Sequence, residues 1–469
     1  MHNFGKNVVY QPRQVYIPRT EEEVLAILSK HREGHIRVQS TGHSWSRIVE
    51  ADDALVRLTH FTGITVEAGP AGPVARIGAG ATLAQIVATL SKTGYSLPTL
   101  GAITQQTIAG ATATATHGTG NTSLSSFVRA VRLACYDAGG NPIIRTITAG
   151  DDLLAARASL GCMGVLLELT LELVPRFWMH EVMKAHDGLD AVLEEESEWP
   201  LQQFLVFPYG WRWYAYHRRK APEPDARALR ALKWYRVYDV LVVELLMHGL
   251  VKSVGWGARL LGRSVVTTFW KHLLPPAMRG MAVTGESSTV LTLHTAHHHT
   301  YQHVEMELFI PKAHLRAAAV LVQEAIAFFA GTRTDVSAGM NAELARAGLL
   351  EEYRTLHGAY VQHYVIFFRR ILPEETLLAM NEGGEKYSMS IFTFEPEGRR
   401  DPYYAACSFL ARAFATLFSA RPHWGKYNPL TAQELGPLYP RLGRFREICR
   451  AHDPNGVFQN TYTKAVLGF

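Results

Sequence analysis

Pro98-Thr-Leu-Gly-Ala-Ile-Thr-Gln-Gln-Thr-Ile-Ala-Gly-Ala-Thr-Ala-Thr-Ala-Thr-His-Gly-Thr-Gly120 is the stretch on which the fold turns. It lies inside a longer run, Thr93 to Val128, that holds no Asp, Glu, Lys or Arg. Its Ala, Thr and Gly residues let a ligand approach the backbone closely, and its hydroxyls and amides donate hydrogen bonds without fixed charge. A tightly packed core segment has the same composition, so at this level both readings stand. The run is long enough to span a bilayer, but its Thr, Gly, Ser and Gln content is costly in hydrocarbon. It is not a G-x-G-x-x-G turn, and no G-x-x-x-x-G-K-[ST] loop occurs in the chain. Nicotinamide and nucleoside-triphosphate sites of those kinds are therefore disfavoured.

Outward from that stretch, the 469 residues leave room for two to four domains. Charged residues make up 19% of the chain, below the usual ~25%. A net charge of +5 is too small to argue for nucleic acid. Cys135, Cys162, Cys407 and Cys449 are far apart, which points to free buried thiols and to no metal site. The first residues lack the apolar core of a signal peptide, so a cytoplasmic location is expected. Six of the nine tryptophans fall between Trp199 and Trp270. The stretch Trp234 to Trp270 is interrupted by charge and cannot span a membrane, but it suits association with a membrane surface.

Local patterning places a strand and then a helix over 14–30, with Thr20 and Glu23 as a capping box and Val24, Ile27 and Leu28 as the buried stripe. Strands are expected at Ile36–Ser40, Val74–Gly78 and Val165–Val174, and a helix after Thr82 carrying Leu83, Ile86, Val87 and Leu90. A hairpin is expected around Asp137–Gly140. Beyond Pro175, strands at Thr289–His294 and Val304–Ile310 alternate with a helix over Ala313–Phe329, and a last helix covers Tyr439–His452. The class is α+β with a mixed sheet. The turn in Val38-Gln-Ser-Thr-Gly-His-Ser-Trp-Ser46 presents successive backbone N–H groups that can bind phosphate oxygens, although a plain hydrophilic turn reads the same way.

Several motifs in fixed order carry a resemblance. They are Gly42-His43-Ser44, Gly78-Ala-Gly80, Thr116-His-Gly-Thr-Gly120, Leu160-Gly-Cys-Met-Gly-Val165 and His423-Trp-Gly-Lys426. With them the chain resembles the vanillyl-alcohol-oxidase-type (PCMH) FAD flavoproteins, and among these the aldonolactone oxidases, such as D-arabinono-1,4-lactone oxidase, and the alditol oxidases. The resemblance implies a two-domain flavoprotein: an FAD-binding domain over 1–178, a substrate cap over 179–414 and a C-terminal segment, 415–469, that returns to the first domain. It implies a covalent 8α-histidyl link from FAD to His43. Ser40, Thr41, Gly42 and Ser44 would hold the pyrophosphate, with Gly110, Thr114, His117, Gly118 and Gly120 opposite, and Gly164, Val165 and His423 completing the cofactor site. It also places Gly101, or Ala102, where oxygen reaches the flavin.

On the substrate side, a Glu-x-Arg pair of the family falls on Phe368 and Arg370, and a His position falls on Ile391, two before Thr393. Lys426 is retained. The resemblance thus implies catalysis by Arg370, Lys426 and Thr393 with Gly101, in a more apolar pocket than a sugar lactone would ask for. Glu305 and Glu307 share a strand face that meets either the site or the cap sheet, His363 is a substitute base, and the run His297–His299 with His294 reads as structural or solvent-facing. The expected reaction is hydride transfer from a CH–OH group of a sugar-lactone- or polyol-like substrate to flavin N5, with O2 reoxidising the flavin to give H2O2. A second reading keeps FAD but uses another electron acceptor and a bulkier apolar alcohol. A third is a membrane-surface or partner-binding protein with a vestigial flavin.

Overall fold

The computed structural model describes residues 1–238, 249, 253, 264–273, 282–292 and 302–469. The first portion begins with β1 (Gln14–Tyr16), α1 (Glu21–Lys30), β2 (Ile36–Val38) and β3 (Ala54–Val56), whose strands form a parallel sheet in the order β1-β3-β2. Thr20 Oγ1 accepts from Glu23 N at 3.3 Å. The Glu23 carboxylate reaches back to Arg19 N instead of Thr20 N, so the reciprocal half of the capping box lands one residue upstream. Val24, Ile27 and Leu28 are buried, as their spacing requires.

A second sheet follows from β4 (Ile64–Gly69), β5 (Gly72–Gly78), β7 (Val128–Tyr136), β8 (Pro142–Ile147) and β9 (Val165–Glu172), antiparallel in the order β4-β5-β9-β7-β8. Val165, Leu167, Leu169 and Leu171 of β9 all point into the core, which is the period of two expected of a half-covered strand. Between β5 and β7 lie α2 (Leu83–Leu90), started by a full Thr82–Gln85 capping box, the short β6 (Tyr95–Ser96), and α3 (Ile108–Ala113). β6 pairs with β10 (Val174–Pro175). α3 lies in the middle of the charge-free stretch and has Thr107 as its N-cap. All four cysteines are buried and free.

The cap is one eight-stranded antiparallel sheet made of β11 (Trp178–His186), β12 (Gln203–Val206), β13 (Trp213–Ala221), β14 (Val283–Glu286), β15 (Val304–Pro311), β16 (Ile366–Ile371), β17 (Lys386–Thr393) and β18 (Arg421–Pro422). Their order is β14-β11-β13-β12-β16-β17-β15-β18. The strand expected at Thr289–His294 lies elsewhere. β14 ends at Glu286, where β11 begins at Trp178 and no ladder partner remains, and the chain turns into the helix Ser287–Val290. The rest of that stretch, with the His297–His299 run and most of 234–270, falls outside the described residues. No helix among the described residues is long and apolar enough to cross a membrane.

Two joints lock the portions together. Gly120 N donates to Arg370 O at 2.7 Å and Leu372 N to Asn121 O at 3.1 Å, hooking the charge-free stretch onto β16. Gly120 has φ +68°, and a Cβ there would sit 2.2 Å from Pro200 O, so only glycine fits. At the other joint Ile36 N donates to Val457 O at 2.8 Å, and the buried Arg37 guanidinium donates to Ile48 O, Leu160 O and Phe458 O.

Phe368 anchors the centre of the cap, stacked on Phe204 at 5.2 Å between ring centroids and packed on Trp213 at 5.6 Å. Phe368→Ala is expected to cost about 3–5 kcal/mol and to lower the thermal midpoint measured by calorimetry. A midpoint unchanged from wild type would contradict this packing role.

Candidate active site

A cavity of about 670 Å³ lies between the charge-free stretch and the inner face of the cap sheet. That size is within the roughly 300–1,000 Å³ usual for small-molecule sites. One end is lined by the turn Ser40-Thr41-Gly42-His43-Ser44 and by Gly101, Gly110, Thr114, His117 and Gly164. Gly42 takes φ +76°, which lets the turn reverse directly after β2. Phe4 N donates to Gly42 O at 2.7 Å, and Phe4 stacks on the His43 ring at 5.1 Å. Thr41 Oγ1 lies 2.9 Å from His43 Nδ1. The turn is tied to the C-terminal segment, because Trp45 N donates to Gly425 O at 2.8 Å and Ser46 Oγ to Trp424 O at 2.8 Å. That segment brings His423 and Lys426 to the cavity.

The donors here suit FAD. Backbone and hydroxyl groups dominate the turn and α3, and a Cβ on Gly110 would press on Ser40 at 3.2 Å, in a cradle that needs a bare backbone. Arg57 also lines the cavity, and its Nε is buried without a hydrogen-bond partner among the described residues. It adds a fixed positive charge that the reading of a wholly neutral cradle left out.

The cap supplies the other wall. β15 contributes Glu305 and Glu307, β16 contributes Phe367 and Arg369, and Phe392 and Phe394 come from β17 and the residue after it. Arg370 is therefore displaced from the role expected of it. Successive side chains of a strand point to opposite faces. Arg370 turns away and pairs with Glu385 at 2.6 Å, while Arg369 takes the cavity face. By the same alternation Phe368 is core and Phe367 lines the site, and Thr393 is buried away from it, accepting from Glu395 N. Gly118, Gly120 and Val165 do not line the cavity either. A Cβ on Gly118 would meet Leu100 O at 2.8 Å, Gly120 makes the joint to the cap, and Val165 is core. His363 Nε2 accepts from Phe394 N at 2.9 Å and holds the aromatic wall from behind.

The polar centre of the site is Glu307, 1% exposed. His117 Nε2 is 3.2 Å and Arg369 Nη1 3.4 Å from its Oε1, and the other nitrogen of His117 faces Gly118 O at 2.9 Å. Burial alone would raise the Glu307 pKa. His117, His423 and Lys426 outweigh it and hold the carboxyl well below its ordinary range. Burial pushes the His423 ring well below its ordinary value, against the pull of Glu307. Its Nδ1 accepts from Gly425 N at 2.9 Å, as a neutral ring does. Lys426 bonds Glu305 and sits 4.2 Å above the Trp45 ring. His117, Glu307 and His423 offer ligand atoms within 4.8 Å of one another, but Arg369 and Lys426 bring positive charge to the same place, which opposes a metal cation.

Residues 12–141 match the FAD binding domain family and residues 169–466 the D-arabinono-1,4-lactone oxidase family. The chain is 37% identical to a long-chain alcohol oxidase of an uncultured marine euryarchaeote, over 99% of this chain and 96% of that protein. It is 26% identical to an L-gulono-1,4-lactone dehydrogenase of Mycobacterium tuberculosis, over 99% and 98% of the two chains, and 23% identical to an alditol oxidase of Streptomyces sp., over 99% and 98%. Among solved structures, the cholesterol oxidase from B. sterolicum superposes with a TM-score of 0.74 at 14% identity, covering 99% of this chain and 96% of that one, a likeness of fold.

The depressed pKa of His423 has a consequence for stability. The unfolded ring takes a proton near its ordinary 6.5 while the folded ring stays neutral. Its contribution is thus complete above pH 6.5 and is lost as pH falls toward the folded value. The thermal midpoint should fall on acidification from pH 6.5, and His423→Gln should flatten that slope. An unaltered slope in the variant would remove His423 as its source.

Proposed function

The chain belongs to the D-arabinono-1,4-lactone oxidase family, and from that premise we propose that it is an FAD-dependent oxidase of an alcohol whose hydroxyl is carried on an apolar chain. The observation that carries this reading is the cavity wall beside Arg369. Phe367, Phe392, Phe394, Leu205, Phe207 and Val365 line it. A polyol or sugar lactone bound there would leave hydroxyls unpaired, at about 1–3 kcal/mol each, whereas an alkyl chain gains by burial. The long-chain alcohol oxidase relative supports the same substrate class. On this reading residues 1–178 hold the cofactor, 179–414 form the cap and 415–469 return to the first portion.

FAD, when bound, supplies the acceptor for the hydride that leaves the alcohol carbon. Ser40, Thr41, Gly42, Ser44, Gly110 and Thr114 hold it through backbone and hydroxyl donors, Arg57 offsets the charge of its pyrophosphate, and His43 is the point of covalent attachment. Lys426 and Arg369 present positive charge where the substrate oxygen becomes negative. Glu307 is spent on His117 and Arg369, so Glu305 is the carboxylate that takes the hydroxyl proton, with Lys426 orienting it. The alcohol loses two electrons and two protons and becomes the carbonyl product. O2 takes the two electrons and two protons and is released as H2O2. Gly101 keeps the oxygen route open, since a Cβ there would come within 3.1 Å of Thr116 Cγ2.

Purified protein should release H2O2 with a primary alkanol and far less with a polyol or aldonolactone of equal concentration. The reverse order would overturn the substrate class. Glu305→Gln should lower kcat/KM by about 10²–10⁴, and a loss under about tenfold would clear Glu305 of the proton. Acid-precipitated protein should stay yellow, and His43→Ala precipitate should be colourless. Colour retained by the variant would move the attachment elsewhere.

A further inference from the structure

Among the described residues, Leu229 at 39%, Trp234 at 74% and Val237 at 49% are three of eight large hydrophobic side chains that are exposed. All three stand on one helix, Ala226–Tyr238, of sequence ARALRALKWYRVY. The same helix carries Arg227, Arg230, Lys233 and Arg236 and no acidic residue. At 100° per residue, Leu229, Lys233, Val237, Arg230, Trp234 and Arg227 share the outward face. The inward face is seated. Tyr235 OH donates to Glu181 Oε1 at 3.2 Å, Arg236 donates to Thr289 O, and Leu232 packs where a Cβ on Gly285 would meet it at 2.7 Å. Tyr235 and Arg236 line the cavity, so one helix is both an exposed apolar, basic face and a wall of the substrate site.

We propose that this face docks the enzyme on an anionic phospholipid bilayer, from which a lipophilic alcohol enters the cavity. An exposed Trp and aliphatic residues set among cations are what a helix lying in the interface of such a bilayer requires. A second copy of the chain is a poorer occupant. Two-fold pairing through this face would bring the three outward cations of each helix, Arg227, Arg230 and Lys233, together with no acid on either helix to meet them. The docking extends the proposed oxidation of an apolar alcohol, and only the delivery of substrate rests on it.

The test pellets the flavin-loaded protein with phosphatidylcholine vesicles, with and without phosphatidylglycerol. Binding to the anionic vesicles should exceed binding to neutral ones by about tenfold or more, and should fall as salt is raised toward about 1 M, where screening acts within ~3 Å. Trp234→Glu with Leu229→Glu should lose about tenfold in binding, and so should Arg227→Gln with Arg230→Gln and Lys233→Gln. Both variants should keep the wild-type thermal midpoint, flavin content and turnover of a short water-soluble alcohol without vesicles. Absent pelleting, equal binding to both vesicle types, or variants that bind like wild type would overturn the proposal. So would a dimer in vesicle-free buffer that Trp234→Glu dissolves. Failure to oxidise the soluble alcohol, with vesicle binding intact, would strike the proposed reaction and leave the docking standing.

Discussion

The structure depends on one buried carboxylate. Glu307 stands on β15 of the cap sheet, yet its oxygen is shared between His117 of the charge-free stretch and Arg369 of β16 in the same sheet. A lone ionised carboxylate at that depth would cost several kcal/mol, and removing one partner of a buried pair strands the other. The first portion and the cap therefore satisfy each other's charge, and the site exists only where they meet. The segment that brings His423 and Lys426 closes the same cluster from the C-terminal side, with His423 N donating to Glu307 O and Tyr427 N to Glu305 O, each at 2.9 Å.

Around that cluster, charge is distributed by task. On the proposed reading, backbone, hydroxyls and bare glycine surround a cofactor that brings its own negative charge, and Arg37 and Arg57 are fixed cations in the same lining. Charged side chains gather again at Glu305, Glu307, Arg369 and Lys426, and a second charged set, Glu181, Arg218 and Arg236, also lines the cavity. Beyond them the wall turns aromatic. On the proposed reading, the aromatic residues of the wall select the apolar part of the substrate by burial.

Much of the first portion was legible because its elements are specified locally. Thr82 with Gln85 starts a helix, Val165 to Leu171 alternate, and Asp137 accepts from Gly139 N and Asn141 N to close the hairpin, all within a few residues. The helix Ile108–Ala113 was harder to read, since a run of Ala, Thr and Gly has weak intrinsic preference and is held there by Thr107 and by packing against neighbours distant in sequence. The close backbone approaches made at Gly118 and Gly120 look from sequence like ligand contacts, because close approach to a backbone and close approach to a cofactor ask for the same residue.

By itself the sequence determined the family and the turn that carries His43, because these lie in short motifs whose backbone shape is set by the residues within them. It could not choose which arginine faces the cavity. In Ile366-Phe367-Phe368-Arg369-Arg370-Ile371 both alternating sets read Phe-x-Arg, so pattern alone leaves two faces equivalent. Pairing decided it. With Phe368 opposite Phe204 and Met389 in the sheet, and Arg370 drawn to Glu385, Phe367 and Arg369 are turned to the cavity. A one-residue register exchanges every side chain between core and site, and only the neighbouring strands fix that register.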